Sequence, residues 1–393
     1  MKILLVHNFY KLSGGEDKVF KAEKDLLIQN GHDVITYTKS NNEIDEYQPI
    51  EKLKLITSTS FSQRVYEQID LLLKKHKPDI CHVHNFLPLI SPSVFYACSN
   101  NKIPTILTLH NYRLMCTNGL LFRDGHICEE CVSSSAYHSV LKKCYRNSHL
   151  QTYAVARMLE KNKDVWFNLI DGFFCLSHFA KQKFIEHGLP KDKITVKPNF
   201  IDDGELFKKN EALKSTKSEY LIYVGRLEIN KGTRLLKRLA ESIDKEIVVI
   251  GEGPLENKLH SCRNINIIGK KSREETLAYV NRAKALILPS ISYEGGLPLT
   301  ALEAFSCRTP VIATNIGSMK SMIQHEETGL LFDSNSIESF NSCVNQVYSN
   351  PELIDRIINQ AYHYLKTVYT KQYSYQLLID NYNEAILSNE NPS

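Results

Sequence analysis

Apolar residues in this chain gather into short, nearly unbroken runs. In the first half these are Lys2–Phe9, Asp79–Val83, Thr105–Leu109, Gly172–Leu176 and Ile194–Val196, with Asp33–Thr38 as a more polar member. In the second half they are Tyr220–Val224, Ile247–Ile250, Ile265–Ile268, Ala285–Leu288 and Pro310–Ala313, with a short piece at Gly329–Phe332. A run that is apolar at every position predicts a strand covered on both faces, as in a parallel sheet flanked by helices. The intervening stretches predict helices at Lys18–Gln29, which closes on Gly31, at Phe61–His76, Pro92–Ser99 and Gln151–Val165, and from His178. In the second half Thr233–Glu241 follows, and then a helix opened by the capping box Ser272-x-x-Glu275. The alternation runs twice, on either side of a polar, lysine-rich stretch from Ile201 to Ser218. It predicts two α/β domains, 1–200 and 201–372, with residues 111–148 as an irregular insertion in the first. The last segment, 373–393, carries a helix at Tyr373–Leu387 long enough to return to the first domain.

Chemistry enters where strands stop. Two strands of the first half end in His84-Asn85 and His110-Asn111, and ligands of open parallel sheets lie beyond the carboxyl ends of strands. The first βα turn lacks Gly-x-Gly-x-x-Gly, which argues against a dinucleotide. The second half offers Tyr293-Glu-Gly-Gly-Leu-Pro-Leu-Thr-Ala-Leu-Glu303, a strand–glycine loop–helix sequence. Gly295 and Gly296 let backbone approach a ligand, Pro298 suits a helix start, and the amides there suit a diphosphate. Glu303 lies too far into that helix to cap it and would repel phosphate, so its fitting partner is a ribose diol; Glu294 would meet a second set of hydroxyls. Arg226 at a strand end and Lys231 at a helix start add two cations for a leaving diphosphate. Taken singly, each of these residues also fits a solvated surface position. Together they read as a nucleotide-sugar site.

Length and composition set the frame. The 393 residues suit two domains, and 42% apolar content supplies two cores. A net charge of +4 does not suggest a nucleic-acid binder. The apolar start, Met1–Val6, turns polar at His7-Asn8, too soon for a signal peptide, and no later run has the length of a membrane span, so a cytoplasmic protein is expected. Ten cysteines then read as thiols or metal ligands. Four of them, Cys116, Cys128, Cys131 and Cys144, fall in the insertion, and Cys128-x-x-Cys131 has zinc-ligand spacing; a structural zinc and unliganded buried thiols are both open. Four cysteines leave no open position for a catalytic metal. Lys142, Lys143, Arg146, Arg157, Lys161 and Lys163 form a basic, apolar-studded stretch suited either to solvent or to anionic headgroups at a membrane face.

With these motifs in place, the chain resembles the family 4 retaining glycosyltransferases of the GT-B fold, whose two Rossmann-like domains face each other across a cleft. The resemblance spans nearly the whole chain. It is carried by Asn8-Phe-Tyr-x-x-Ser-Gly-Gly-Glu-Asp17, His110-Asn-Tyr-Arg113, Val224-Gly-Arg-Leu-x-x-x-Lys-Gly232 and Tyr293–Glu303. It implies that Gly14 and Gly15 form a loop near the donor phosphates and that His110 lies beside the transferred sugar. Arg226 and Lys231 would hold the diphosphate, Glu294 the sugar hydroxyls and Glu303 the ribose, with Gly295, Gly296 and Leu297 also lining the donor site. Pro198-Asn199 matches the interdomain segment in pattern only, so Asn199 stays outside the site. One departure stands out: the family's two glutamates bracket seven residues, whereas eight separate Glu294 from Glu303 here. The family position therefore falls on Gly295, and Glu294 takes the role if the Gly-Gly turn absorbs the extra residue. The implied activity is sugar transfer from a UDP- or GDP-sugar to a glycan, expected to be lipid-linked, in surface polysaccharide synthesis, with no cofactor in catalysis. The rivals are a sugar-nucleotide 2-epimerase on the same fold and a non-catalytic nucleotide-sugar-binding subunit.

Overall fold

The computed structural model describes residues 1–12, 14–201 and 217–390. The polar stretch expected as a linker falls largely on residues 202–216, outside the described residues. The chain divides into two compact units. One holds Met1–Leu121, Cys128–Lys197 and the chain from Tyr375 onward; the other holds Phe122–Ile127 and Pro198–Ser374.

The first unit is built on a six-stranded parallel sheet. Its strands are β1 (Lys2–Phe9), β2 (Asp33–Ser40), β3 (Ile80–Asn85), β4 (Thr105–Leu109), β7 (Gly172–Cys175) and β8 (Ile194–Val196), in the order β2-β1-β3-β4-β7-β8. The second unit repeats the plan with β9 (Leu221–Val224), β10 (Ile247–Ile250), β11 (Ile265–Gly269), β12 (Ala285–Leu288), β13 (Val311–Thr314) and β14 (Leu330–Phe332), in the order β11-β10-β9-β12-β13-β14. Here the reason for the unbroken apolar runs is plain. Leu221, Val249, Ile287 and Ile312 enter one core with Leu235, Leu236 and Phe340 of the helices Thr233–Glu241 and Ile337–Ser349. Their strand neighbours Ile222, Val248, Leu286 and Val311 enter the other core, with Leu302 and Phe305 of the helix Leu299–Ser306. Successive side chains of a strand point to opposite faces, and both faces are covered, so every position must be apolar. Cutting one such residue to Ala costs about 2–5 kcal/mol.

Each sheet reverses direction once. From β1 the chain goes outward to β2 and then returns to β3 on the other side; from β9 it goes outward through β10 to β11 and returns to β12. The carboxyl ends of β1 and β3, and of β9 and β12, are therefore the places where connections diverge and leave a crevice.

The final helix, Lys371–Glu390, places Tyr382 against β3, its hydroxyl 2.6 Å from His82 Nδ1, and Asn381 against β8, 2.6 Å from Thr195 Oγ1. The insertion is less irregular than its sequence suggests. It contains a hairpin, β5 (Phe122–Arg123) and β6 (His126–Ile127), and a short helix, His138–Leu141. Asp124 (φ 53°) and Gly125 (φ 89°) make the hairpin turn, a pair that tolerates two positive φ values. The expected helix Gln151–Val165 is instead two helices, His149–Lys161 and Lys163–Asn168. The break falls at Asn162, whose amide donates to Met158 O (2.9 Å) and Ser60 O (3.2 Å). Among the described residues no helix is long and apolar enough to cross a membrane.

Candidate functional site

At the β1/β3 reversal the ends of β1, β3 and β4 surround a cavity of ≈ 30 Å³, with Tyr10, Glu16, His84, His110, Asn111 and Arg113 in its wall. His110 follows β4 directly and is half-buried. Its Nε2 lies 3.1 Å from His84 Nδ1, and the two rings stack with centroids 5.3 Å apart. Burial holds His110 well below the usual histidine range, reinforced by the nearby Lys197 ammonium and by His7. Asn111 ties the wall together: its Oδ1 accepts from Arg113 N (3.0 Å) and its Nδ2 donates to Glu16 (3.4 Å).

Glu16 is a site residue that the sequence reading passed over. It lies in the first turn of the helix Gly15–Gln29 and also takes a hydrogen bond from the Tyr10 hydroxyl. Desolvation pushes its carboxyl up to about 7, against the pull of Tyr10, Arg113 and Asn111, with Asp17 adding to the rise. A carboxyl in that range exchanges protons near neutrality. Gly14 and Gly15 make the turn into this helix, with Asp17 Oδ2 accepting from Gly14 N at 3.3 Å.

The second unit places its candidates at the β9/β12 reversal. Arg226 follows the end of β9, exposes 64% of its side chain and pairs with Glu228 at 3.1 Å. Lys231 Nζ donates to both oxygens of Glu294, at 2.8 and 2.9 Å, and Ser290 Oγ donates to the same carboxylate at 2.8 Å. Gly232 (φ +76°) must lack a side chain, since a Cβ there would lie 1.7 Å from Pro289 O. The loop after β12 carries Glu294, Gly295, Gly296 and the buried Leu297 to Pro298, the last extended residue before the helix at Leu299. Glu303, the fifth residue of that helix, keeps 15% of its side chain exposed and faces Arg273 at 3.5 Å. Lys231 and Glu294 are thus joined, while Glu303 engages a different cation.

The four insertion cysteines share one neighbourhood. Burial, then Cys116, Cys144 and Cys128, push the Cys131 thiol up to about 12, and Cys116 Sγ donates to Asn118 Oδ1 at 3.0 Å. Their sulfurs are more widely spread than a tetrahedral zinc site. Among the described residues only Glu23, His82 and His84 bring three donor atoms within 4.8 Å of one another. The six other cysteines are buried. In the basic stretch Lys142 pairs with Glu130, Lys163 with Glu160 (2.5 Å), and Arg157 donates to Ser60 Oγ (3.2 Å). Beside it, Leu141 and Leu150 are exposed at 82% and 54%.

Residues 14–205 match the family described as Glycosyltransferase Family 4, and residues 205–364 match Glycosyl transferases group 1. An uncharacterized glycosyltransferase of Methanocaldococcus jannaschii is 22% identical over 370 residues, 90% of each chain. The D-rhamnosyltransferase WbpZ of Pseudomonas aeruginosa is 24% identical over 149 residues, 36% of this chain and 39% of its own. Among solved structures, Anabaena HepE in complex with UDP aligns over 98% of this chain and 100% of its own, with a TM-score of 0.66 at 15% identity. Sucrose-phosphate synthase of Thermosynechococcus elongatus aligns over 98% and 99%, with a TM-score of 0.71 at 16% identity. Two parallel sheets of the same plan, each with polar side chains gathered at its reversal, and family matches that follow one another from residue 14 to residue 364 lead to one conclusion: the chain belongs to the family 4 glycosyltransferases.

Proposed function

We propose that the protein is a retaining glycosyltransferase that moves a sugar from a UDP- or GDP-sugar to a glycan acceptor, lipid-linked, during surface polysaccharide synthesis. The observation that carries the donor half of this reading is the Lys231–Glu294 pair at the β9/β12 reversal, one strand from Arg226. Lys231 and Arg226 supply positive charge where the departing diphosphate gathers negative charge. Glu294 and Glu303 accept from hydroxyls of the sugar and the ribose, and His110 meets the transferred sugar. The acceptor hydroxyl loses its proton to the departing phosphate, and the anomeric configuration is kept. HepE, a structural neighbour, has been solved with UDP and with UDP-glucose, which supports a nucleotide-sugar donor.

Thermal shift against UDP-, GDP- and ADP-sugars, followed by NMR of the product, tests this. A UDP- or GDP-sugar should stabilise the protein and yield a product of retained configuration. No stabilisation by any of them would overturn the donor assignment, and release of a 2-epimer would favour the epimerase.

Two further roles belong to the same reading. Leu141 and Leu150, exposed beside Lys142, Lys143 and Arg146, suit a peripheral contact with anionic lipid. Reversing those three charges should reduce sedimentation with anionic vesicles; unchanged binding would leave the patch as ordinary surface. Cys116, Cys128, Cys131 and Cys144 would hold a structural zinc once their thiols draw together. Metal analysis of freshly purified, reduced protein should find about one zinc per chain, and finding none would remove that role.

A further inference from the structure

Beneath His110 lies a chain of polar side chains that an ordinary core would exclude. Lys197 and Glu23 form an ion pair whose side chains are both fully buried, and the Lys197 ammonium lies 5.5 Å from the centre of the Phe174 ring. The second Glu23 oxygen, Oε2, lies 3.5 Å from His84 Nε2 and 4.0 Å from His82 Nδ1, and neither Oε2 nor His84 Nε2 has a shorter, well-aligned hydrogen bond among the described residues. The other nitrogen of His84 meets His110 Nε2 at 3.1 Å. Burying an ion pair is expensive and rarely adds stability by itself, so its presence under a site residue calls for a function.

The geometry points to a positioning device: Lys197, Glu23 and His84 fix the tautomer of His110, so that its Nε2–H donates to His84 and its Nδ1 serves as a hydrogen-bond acceptor for a substrate hydroxyl. This rests on the reading that His110 meets the transferred sugar. Lys197 holds Glu23 as a carboxylate, which can only accept. His84 must then carry its proton on Nε2, because a lone pair there would set two buried acceptors against each other at 3.5 Å. His84 Nδ1 is left as an acceptor, and His110 must donate to it.

The surroundings agree. His82 Nδ1 meets the Tyr382 hydroxyl (2.6 Å) and its Nε2 the Thr108 hydroxyl (2.7 Å), so both ring nitrogens are engaged, and Nδ1 stands farther from Glu23 Oε2 (4.0 Å) than His84 Nε2 does. His7 is occupied by Asp17 at 2.8 Å, with Lys21 beyond it. Within the cluster the charges cancel, one Lys197 against one Glu23. A further proton on His84 or His110 would be an unbalanced buried charge near Lys197, and both rings are accordingly held well below the usual histidine range, chiefly by burial. The Glu23, His82 and His84 donors lie within metal-binding reach of one another. The Lys197 ammonium on Glu23 and the two hydroxyls on His82 already engage atoms that a cation would need.

Histidine-selective ¹⁵N NMR of the whole protein tests the device without needing turnover, with the His110 signals assigned from the spectrum of His110→Gln. His110 should appear as the neutral Nε2–H tautomer throughout pH 6–8. In His84→Leu it should lose that single tautomer, and turnover should fall about tenfold, as for one lost hydrogen bond. His84→Asn, whose Oδ1 can stand near the place of Nδ1, should restore both the tautomer and most of the turnover. A native His110 that is cationic or Nδ1–H at neutral pH would overturn the proposal, as would a tautomer indifferent to His84→Leu. If His84→Leu does not fold, the native spectrum and His84→Asn still decide. The expected spectra without transfer from any nucleotide sugar would instead count against the functional reading and leave the device standing.

Discussion

The two units share a plan and differ in how they hold their functional groups. At the β1/β3 reversal Glu16 and Arg113 share the wall with histidines that burial holds well below their usual range, and the Lys197–Glu23 ion pair beneath them is fully enclosed. At the β9/β12 reversal the groups are ions at the edge of solvent, with Lys231 and Glu294 exposed at 25% and 15% and Arg226 at 64%. Buried, uncharged imidazoles suit hydroxyls, which are recognised by direction; exposed cations suit a diphosphate, which is recognised by charge. The same scaffold thus presents two chemistries, separated by how far each reversal is covered.

The largest expected effect is on the charged side. Lys231→Ala removes a cation and leaves Glu294 facing phosphate, so kcat/KM should fall by about 2–3 kcal/mol, the range for a charged hydrogen bond. Calorimetric titration should show weaker binding of free nucleotide as well. A variant that binds nucleotide normally would detach Lys231 from the diphosphate.

Next come the two glutamates, at about 1–3 kcal/mol each. Glu303→Ala should weaken free nucleotide and sugar nucleotide alike, since both contain the ribose. Glu294→Ala should spare free nucleotide, weaken the sugar nucleotide and lower kcat. Equal responses from the two variants would erase the distinction that their different partners, Lys231 and Arg273, suggest.

Smaller still is the stability effect of Glu16. Its carboxyl is pushed up to about 7 from 4.5, so the folded chain holds a proton that the unfolded chain has released. Native stability supplied by that proton is full below about 4.5 and is lost as pH rises through about 7. Glu16→Gln should therefore gain stability relative to the native chain as pH rises through that window, by about 1–2 kcal/mol after allowing for its partial exposure. Denaturant melts at pH 5 and pH 8 would show it, and a difference that is flat or reversed would contradict the burial of this carboxyl.

Much of the fold could be read directly because two-sided burial writes itself into the sequence as unbroken apolar runs. Leu221-Ile-Tyr-Val224 and Ile247-Val-Val-Ile250 had no other sensible assignment. The placement of Arg226 and Lys231 at the β9/β12 reversal was legible for a related reason, since both follow the end of a strand of a parallel sheet. What escaped were residues whose environment is set from far away. Lys197 looks like any lysine near a loop, and Glu23 like the solvated face of a helix, until β8 and the helix Gly15–Gln29 bring them together. Glu16 hid for another reason, because an acid in the first turn of a helix needs no further explanation. The helix Pro49–Ser58 was missed although Pro49 at its first turn and Glu51 bonding back to Gln48 N (2.8 Å) were both visible signals.

His110→Ala probes the difference between the units when calorimetric nucleotide affinity and turnover are measured on the same preparation. Turnover should fall strongly and the Kd for UDP or GDP stay essentially unchanged, as expected of a residue that meets the sugar and not the diphosphate. Equal losses in nucleotide affinity and turnover would contradict it.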